Sequence, residues 1–263
     1  MIKLQLIDQQ QKVLKERTAD QATYLDYHAQ YAIGDAYQVV VDQVPAYISV
    51  QLDAALAPAL LYVTANNWTY TLPFNLQRDW PYPDGTFVGK NHYATARYAT
   101  PTEIQTYRNL AVNSHDQPQI ADVFPHVTAN AETRGEMVFY AKNAIDGMVA
   151  NESHGNYPYQ SWGINQQDDA ELMLDFGREV QIDQLGIVLR ADYPHDSYWT
   201  EMTIQFSDDS QEVVHLQKVA EKQLFKFAER TISSLKLTKL IKDRDSSTFP
   251  ALTEIEVYGT DIK

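Results

Sequence analysis

Apolar side chains recur at every second position through much of this chain. Ile2, Leu4 and Leu6 alternate with polar partners, as do Tyr37, Val39 and Val41, then Ile48, Val50 and Leu52, then Trp68, Tyr70 and Leu72. Successive side chains of a strand point to opposite faces, so each run offers one face to a core and one to water. Gly34-Asp35, Pro45 and Pro73 supply turn and edge residues between the runs. The rhythm returns later in Leu172, Leu174 and Phe176; Leu185, Ile187 and Leu189; Met202, Ile204 and Phe206; Val214 and Leu216; Phe225 and Phe227; Leu235 and Leu237; Ile255 and Val257. Short runs at this spacing predict an all-β fold built of antiparallel sandwiches.

One helix is marked. Thr100-Pro101-Thr102-Glu103 combines an N-cap threonine, a proline at the first helical position and a glutamate at the third. That is a capping box, with proline where its missing N–H costs nothing. The pattern predicts a helix over residues 101–110 joining two domains: a smaller antiparallel β domain over residues 1–108 and a second sandwich over 109–263.

The chain of 263 residues has 44% hydrophobic residues, enough for two real cores. Its net charge is −14, with no cluster of Lys and Arg. That excludes nucleic acid and anionic membranes as expected partners and leaves cations open. There is no cysteine, so disulfides, zinc–thiolate sites and thiol nucleophiles are excluded. The amino terminus alternates polar and apolar residues, unlike a signal peptide, and no segment has the length of a membrane span. As written the sequence reads as cytoplasmic; a chain trimmed of a leader would read as secreted. Oligomeric state is not encoded in any of these patterns.

The second half carries a series of motifs: Asn109-Leu110-Ala111-Val112-Asn113, Asn143-Ala144-Ile145-Asp146-Gly147, Ser161-Trp162-Gly163, Leu174-Asp175-Phe176-Gly177, Ile204-Gln205-Phe206-Ser207-Asp208-Asp209-Ser210 and Glu254-Ile255-Glu256-Val257-Tyr258-Gly259. In this order they resemble the galactose-binding-domain-like modules, which include discoidin-type domains and carbohydrate-binding modules. The resemblance covers residues 109–263 and implies a jelly-roll β-sandwich that binds a sugar through loops at one end. It also implies one structural calcium, held by Asn143, Asp146 and Met148 of the turn with Glu254 of the last strand, and with Asn151 as a further oxygen donor. The sequence departs from the family at Met148, where many members carry a second aspartate. The competing reading is that Asp146 only caps its own turn.

Two loops join aromatic rings to polar groups, the pairing that a pyranose needs for its C–H face and its hydroxyl rim. One supplies His154, Tyr157, Tyr159 and Trp162; the other supplies Arg190, Asp192, His195, Asp196 and Trp199. Asp245 and Phe249 are placed to reach the same end. Alternation along Leu185, Ile187 and Leu189 predicts that Arg190 points away from the core. The expected function is non-catalytic carbohydrate binding. Two alternatives remain at this stage: an interaction scaffold without a sugar ligand, and a glycan-processing enzyme using His154, Asp192, His195 and Asp196 as a metal or acid–base cluster. No hydrolase, metalloprotease or phosphate-loop motif is present.

Overall fold

The amino-terminal runs close two antiparallel sheets over a shared core. One sheet orders Val13–Ala19, Ile2–Ile7, Ala36–Val41 and Asn67–Thr71; the other orders Val123–Phe124, Ala59–Val63, Ala46–Gln51, His92–Tyr98 and Ala22–Tyr27. Leu4, Leu6, Tyr37, Val39, Ile48, Leu61, Trp68 and Tyr70 meet between them. These are the alternating positions, facing inward as the pleat requires. The molecule is described here from a computed structural model covering residues 1–193, 195 and 197–262.

The carboxy-terminal half is one strongly bent antiparallel sheet wrapped around a second core, so the whole is all-β as expected. Its order is Trp162–Gly163, Ala251–Asp261, Leu172–Leu189, Gln223–Lys242, Trp199–Phe206 and Gln211–His215. His126–Ala129 and Arg108–Asn109 add to the Leu172–Leu189 and Ala251–Asp261 strands. Two pairs of runs that read as separate strands are continuous, forming an 18-residue strand and a 20-residue strand. Local irregularities let one strand serve both faces of the sandwich. Pairing lapses between Asp175 and Val180. There Gly177 takes φ +66°, and a Cβ on it would fall 2.2 Å from the Phe124 ring. Only glycine fits both demands. A bulge between Ile182 and Gln184 then shifts the inward parity from even to odd positions, which is why Val180 and Ile182 are followed inward by Leu185, Ile187 and Leu189.

The predicted helix is shorter than its pattern. It spans Pro101–Gln105 with the capping box formed: Glu103 N–H donates to Thr100 Oγ1 at 3.3 Å, and Thr100 N–H donates to the Glu103 carboxylate at 2.8 Å. It stops because Arg108 and Asn109 are needed as strand, paired with Gly259 and Tyr258. The chain then crosses back. Val123 pairs with Val63 and packs with Ile120 in the amino-terminal core, although it lies within the span read from sequence as the second domain.

A buried ion cluster locks the last strand to the amino-terminal sheets. Asp261 accepts from Arg178 Nε, from Arg108 Nη2 at 2.5 Å and from Tyr47 Oη at 2.8 Å. The Arg178 guanidinium lies 5.0 and 4.9 Å from the Tyr47 and Tyr62 ring centres. Burial alone would raise the Asp261 pKa; the two guanidiniums outweigh it and hold the carboxyl below its ordinary value. A depressed carboxyl stabilises the fold above its unfolded pKa, and that contribution is lost as pH falls through the folded value. Asp261→Asn should therefore destabilise the protein by about 3 kcal/mol at neutral pH, since it leaves buried cations without their anion. Denaturant melts of the two proteins should converge below about pH 4. A gap that stays constant down to pH 2–3 would contradict the ionic account.

Candidate functional site

At the end of the carboxy-terminal sandwich where Leu189 leaves the sheet, loops from several parts of the chain surround a cleft of about 540 Å³. Its described lining includes Thr133, Arg134 and Phe139 from one segment, His154, then Arg190 and His195, and Ser246 to Pro250 before the last strand. The walls are tied together by side-chain and main-chain hydrogen bonds. Asn151 donates its amide to the Leu189 and Ala220 carbonyls at 2.7 and 2.8 Å, and Ala191 N–H donates to the Asn151 carbonyl at 2.8 Å. Arg190 N–H donates to the Ala251 carbonyl at 3.0 Å, and its guanidinium donates to the Phe249 carbonyl. Ser197 donates to Asp245 at 2.9 Å, and Lys242 holds the other Asp245 oxygen at 3.1 Å. Asp245 is thus a brace for the rim.

His154, Arg190 and His195 reach the cleft as the sequence suggests, and Asp192 stands behind the two histidines. Asp192 Oδ2 is 2.6 Å from His154 Nδ1 and 3.7 Å from His195 Nδ1. The imidazole rings stack with centres 4.6 Å apart, within 4° of parallel. Asp196 lies outside the described residues.

Other expectations are corrected. Trp162 and Trp199 are 0% and 1% exposed and pack toward each other at 6.2 Å in the core, so neither offers a face to a sugar. Trp199 opens a strand whose inward positions also carry Met202 and Ile204; Trp162 Nε1 donates to the Ala131 carbonyl at 2.9 Å. Tyr157 and Tyr159 are not among the described residues lining the cleft; Tyr157 N–H donates instead to the Trp80 carbonyl, toward the amino-terminal sheets. Arg190 does leave the core face, yet it is only 4% exposed, because the segment around Phe249 covers that side of the strand end. Arg134 pairs with Glu136 at 2.9 Å, while Glu132 accepts from the Ala141 N–H. Phe139, Thr133 and the hydroxyl run 246–248 were not marked by any periodicity. Phe249 is marked instead by its place in the loop just before the last strand.

A second cluster lies where the calcium donors were expected. The Glu254 carboxylate is fully buried and accepts only the Gly147 N–H among the described residues, at 3.2 and 3.3 Å. Asp146 accepts from Met148 N–H at 2.8 Å, so it does cap its turn, and from Gln160 Nε2 at 2.8 Å. The buried oxygens Asn143 Oδ1 and Gln160 Oε1 have no hydrogen-bond partner among the described residues. Asp146, Glu254, Asn143 Oδ1 and Gln160 Oε1 offer oxygen donors only, the chemistry that a hard divalent cation takes. Met148 contributes its main chain to the turn, and Asn151 uses its amide hydrogens elsewhere; Gln160 was missed because it lies outside the turn motif. Burial pushes the Asp146 carboxyl up to about 6, and burial together with Asp146 raises Glu254 well above its ordinary value.

Fold and cleft together define a class: an all-β protein with a solvent-open pocket on the end loops of a sandwich. No family model matches the chain, and none of the curated proteins matches it by sequence. Among solved structures it is similar to a chitosan-binding module of a chitosanase/glucanase from Paenibacillus sp. IK-5, at 19% identity, covering 59% of this chain and 100% of that one with a TM-score of 0.40. It is similar to the family 32 carbohydrate-binding module of C. perfringens NanJ, solved with galactose, at 19% identity over 50% of this chain and 91% of that one, TM-score 0.38. The lectin domain of lectinolysin, solved with Lewis b, matches at 15% identity over 59% of this chain and 99% of that one, TM-score 0.43.

A raised carboxyl binds protons more tightly in the folded state, so it stabilises least once pH has risen through its folded pKa. Calcium-free protein should therefore lose melting temperature as pH rises from about 4.5 through 6. Added calcium should restore it at pH 7.5 and do little at pH 4.5, where protons compete. Asp146→Asn should abolish the calcium shift; a full shift in that variant would remove the cluster as the binding site.

Proposed function

We propose that the chain is a non-catalytic carbohydrate-binding protein and that the 540 Å³ cleft takes the sugar. One observation carries this reading: two phenylalanines, Phe139 and Phe249, share the cleft with Arg190, His154 and the hydroxyls of Thr133, Ser246, Ser247 and Thr248. An aromatic surface can cover the C–H face of a pyranose while guanidinium, imidazole and hydroxyl groups take up its rim. Phe249 is 37% exposed, enough to serve as such a surface. Phe139 is buried beneath the Arg134 guanidinium, 5.3 Å from its ring centre, and shapes the floor.

Isothermal titration against neutral and acidic mono- and oligosaccharides is the direct measurement. Phe249→Ala should weaken the best ligand at least about tenfold, or about 1.4 kcal/mol, and shift stability by no more than about 0.5 kcal/mol. Trp199→Ala should do the reverse, costing about 3–5 kcal/mol of stability through a core cavity. Arg190→Ala should lower both, with a stability loss of about 2 kcal/mol from the stranded Phe249 carbonyl. Absence of heat with every sugar, from folded protein, would sink the proposal.

A further inference from the structure

We propose that His154, Asp192 and His195 form a binding site for a borderline divalent metal of the zinc class, at the rim of the cleft and separate from the buried oxygen cluster. One donor atom from each residue lies within 4.8 Å of the other two. The Asp192 carboxylate oxygen sits 2.6 Å from one imidazole nitrogen and 3.7 Å from the other. Only the first is a hydrogen-bond distance, and the second is close enough for the same oxygen to share a cation with that histidine. A single cation can engage all three donors.

The spacing suits such an ion. Zinc bonds to nitrogen and oxygen of about 2.0–2.2 Å in tetrahedral geometry put neighbouring donors about 3.3–3.5 Å apart. The observed separations of 2.6 and 3.7 Å bracket that value. The rings stack in parallel planes while their nitrogen lone pairs lie in those planes, so engaging one ion requires one imidazole to rotate out of the stack as well as to close the distance. Their side chains are 38% and 66% exposed and have room for that rotation. Each comes from a different loop, so a bound ion would also clamp the 151–161 loop to the 190–198 loop.

Ligand chemistry sets the class of metal. Two imidazole nitrogens with one carboxylate and no thiolate suit zinc, cobalt, nickel or copper, whereas calcium and magnesium want oxygen alone. The chain's net charge of −14 favours cation approach to the molecule as a whole. Three protein donors leave at least one coordination position, and both histidines line the cleft. Paired hydroxyls of a cleft ligand, or water, would complete the shell.

The test uses the full chain, stripped with chelator and held in excess calcium so that the oxygen cluster does not compete. Zinc is titrated calorimetrically, and cobalt is followed by its visible absorption, whose intensity reports low coordination number directly. One zinc should bind per chain. His154→Ala, Asp192→Asn and His195→Ala should each weaken it at least about tenfold, without moving the melting midpoint in chelator. His215→Ala, at an exposed histidine 3.4 Å from Glu201 on the sheet, should leave the affinity unchanged. The proposal is overturned if no zinc binds, if the three rim variants retain wild-type affinity, or if His215→Ala weakens zinc as much as they do. None of these outcomes depends on whether a sugar binds.

Discussion

Asp261 is a carboxylate that has left water almost completely and is tolerated there because Arg178, Arg108 and Tyr47 surround it. The three partners come from three parts of the chain: the bend of the long strand, the stretch after the helix, and the amino-terminal sheet. Their shared acceptor sits at the end of the last strand. That strand also carries Glu254, buried beneath the 143–147 turn, and follows directly on the segment that walls the cleft. Fixing its end with charge-assisted bonds therefore fixes the register on which both clusters depend. A slip of one residue would turn Ile255 out of the hydrophobic core and take Glu254 from its place beneath the turn.

Two of the buried acidic sites obey opposite logic. At Asp261 the countercharges are built in, and the carboxyl stays ionised to low pH. At Glu254 and Asp146 no arginine or lysine hydrogen-bonds the carboxylates among the described residues, both carboxyls are raised, and the buried Asn143 and Gln160 side-chain oxygens have no donor among those residues. The first arrangement spends its electrostatics on cohesion. The second is costly unless protons or a cation arrive, which is how buried groups outside a structural role commonly reveal one.

Period-two alternation made the fold class legible, because side-chain facing is a local property of the backbone. It also placed Leu172, Leu185, Ile204 and Leu235 inward, where they are. What alternation cannot carry is the third dimension of a strand end. Arg190 was correctly read as leaving the core face, but its burial depends on Phe249, fifty-nine residues later. Trp162 and Trp199 drew attention as aromatic residues in polar loops, and volume decided otherwise: the largest side chains fill the core where the sheet bends. The helix was recognised by its cap, and its length was set by strand pairing at Arg108 and Asn109, a long-range demand absent from local sequence. The rim residues were legible as one candidate metal or acid–base cluster; the loop closure that sets His154 against Asp192 was not.

Phe124 presses on Gly177 at the bend of the long strand, while its neighbour Val123 extends the amino-terminal sheet beside Val63. The polypeptide thus visits the carboxy-terminal core at Leu110 and Ala111, returns to the first core at Ile120 and Val123, and leaves again. A cut at the sequence boundary near residue 108 would therefore not release two self-sufficient halves. One fragment would expose the unpaired edge of Ala59–Val63, and the other would carry a displaced apolar strand able to seek that edge in a neighbour. Dissection of the molecule by truncation would create the ingredients of domain swapping, and complementation of the two fragments would be the natural outcome of mixing them.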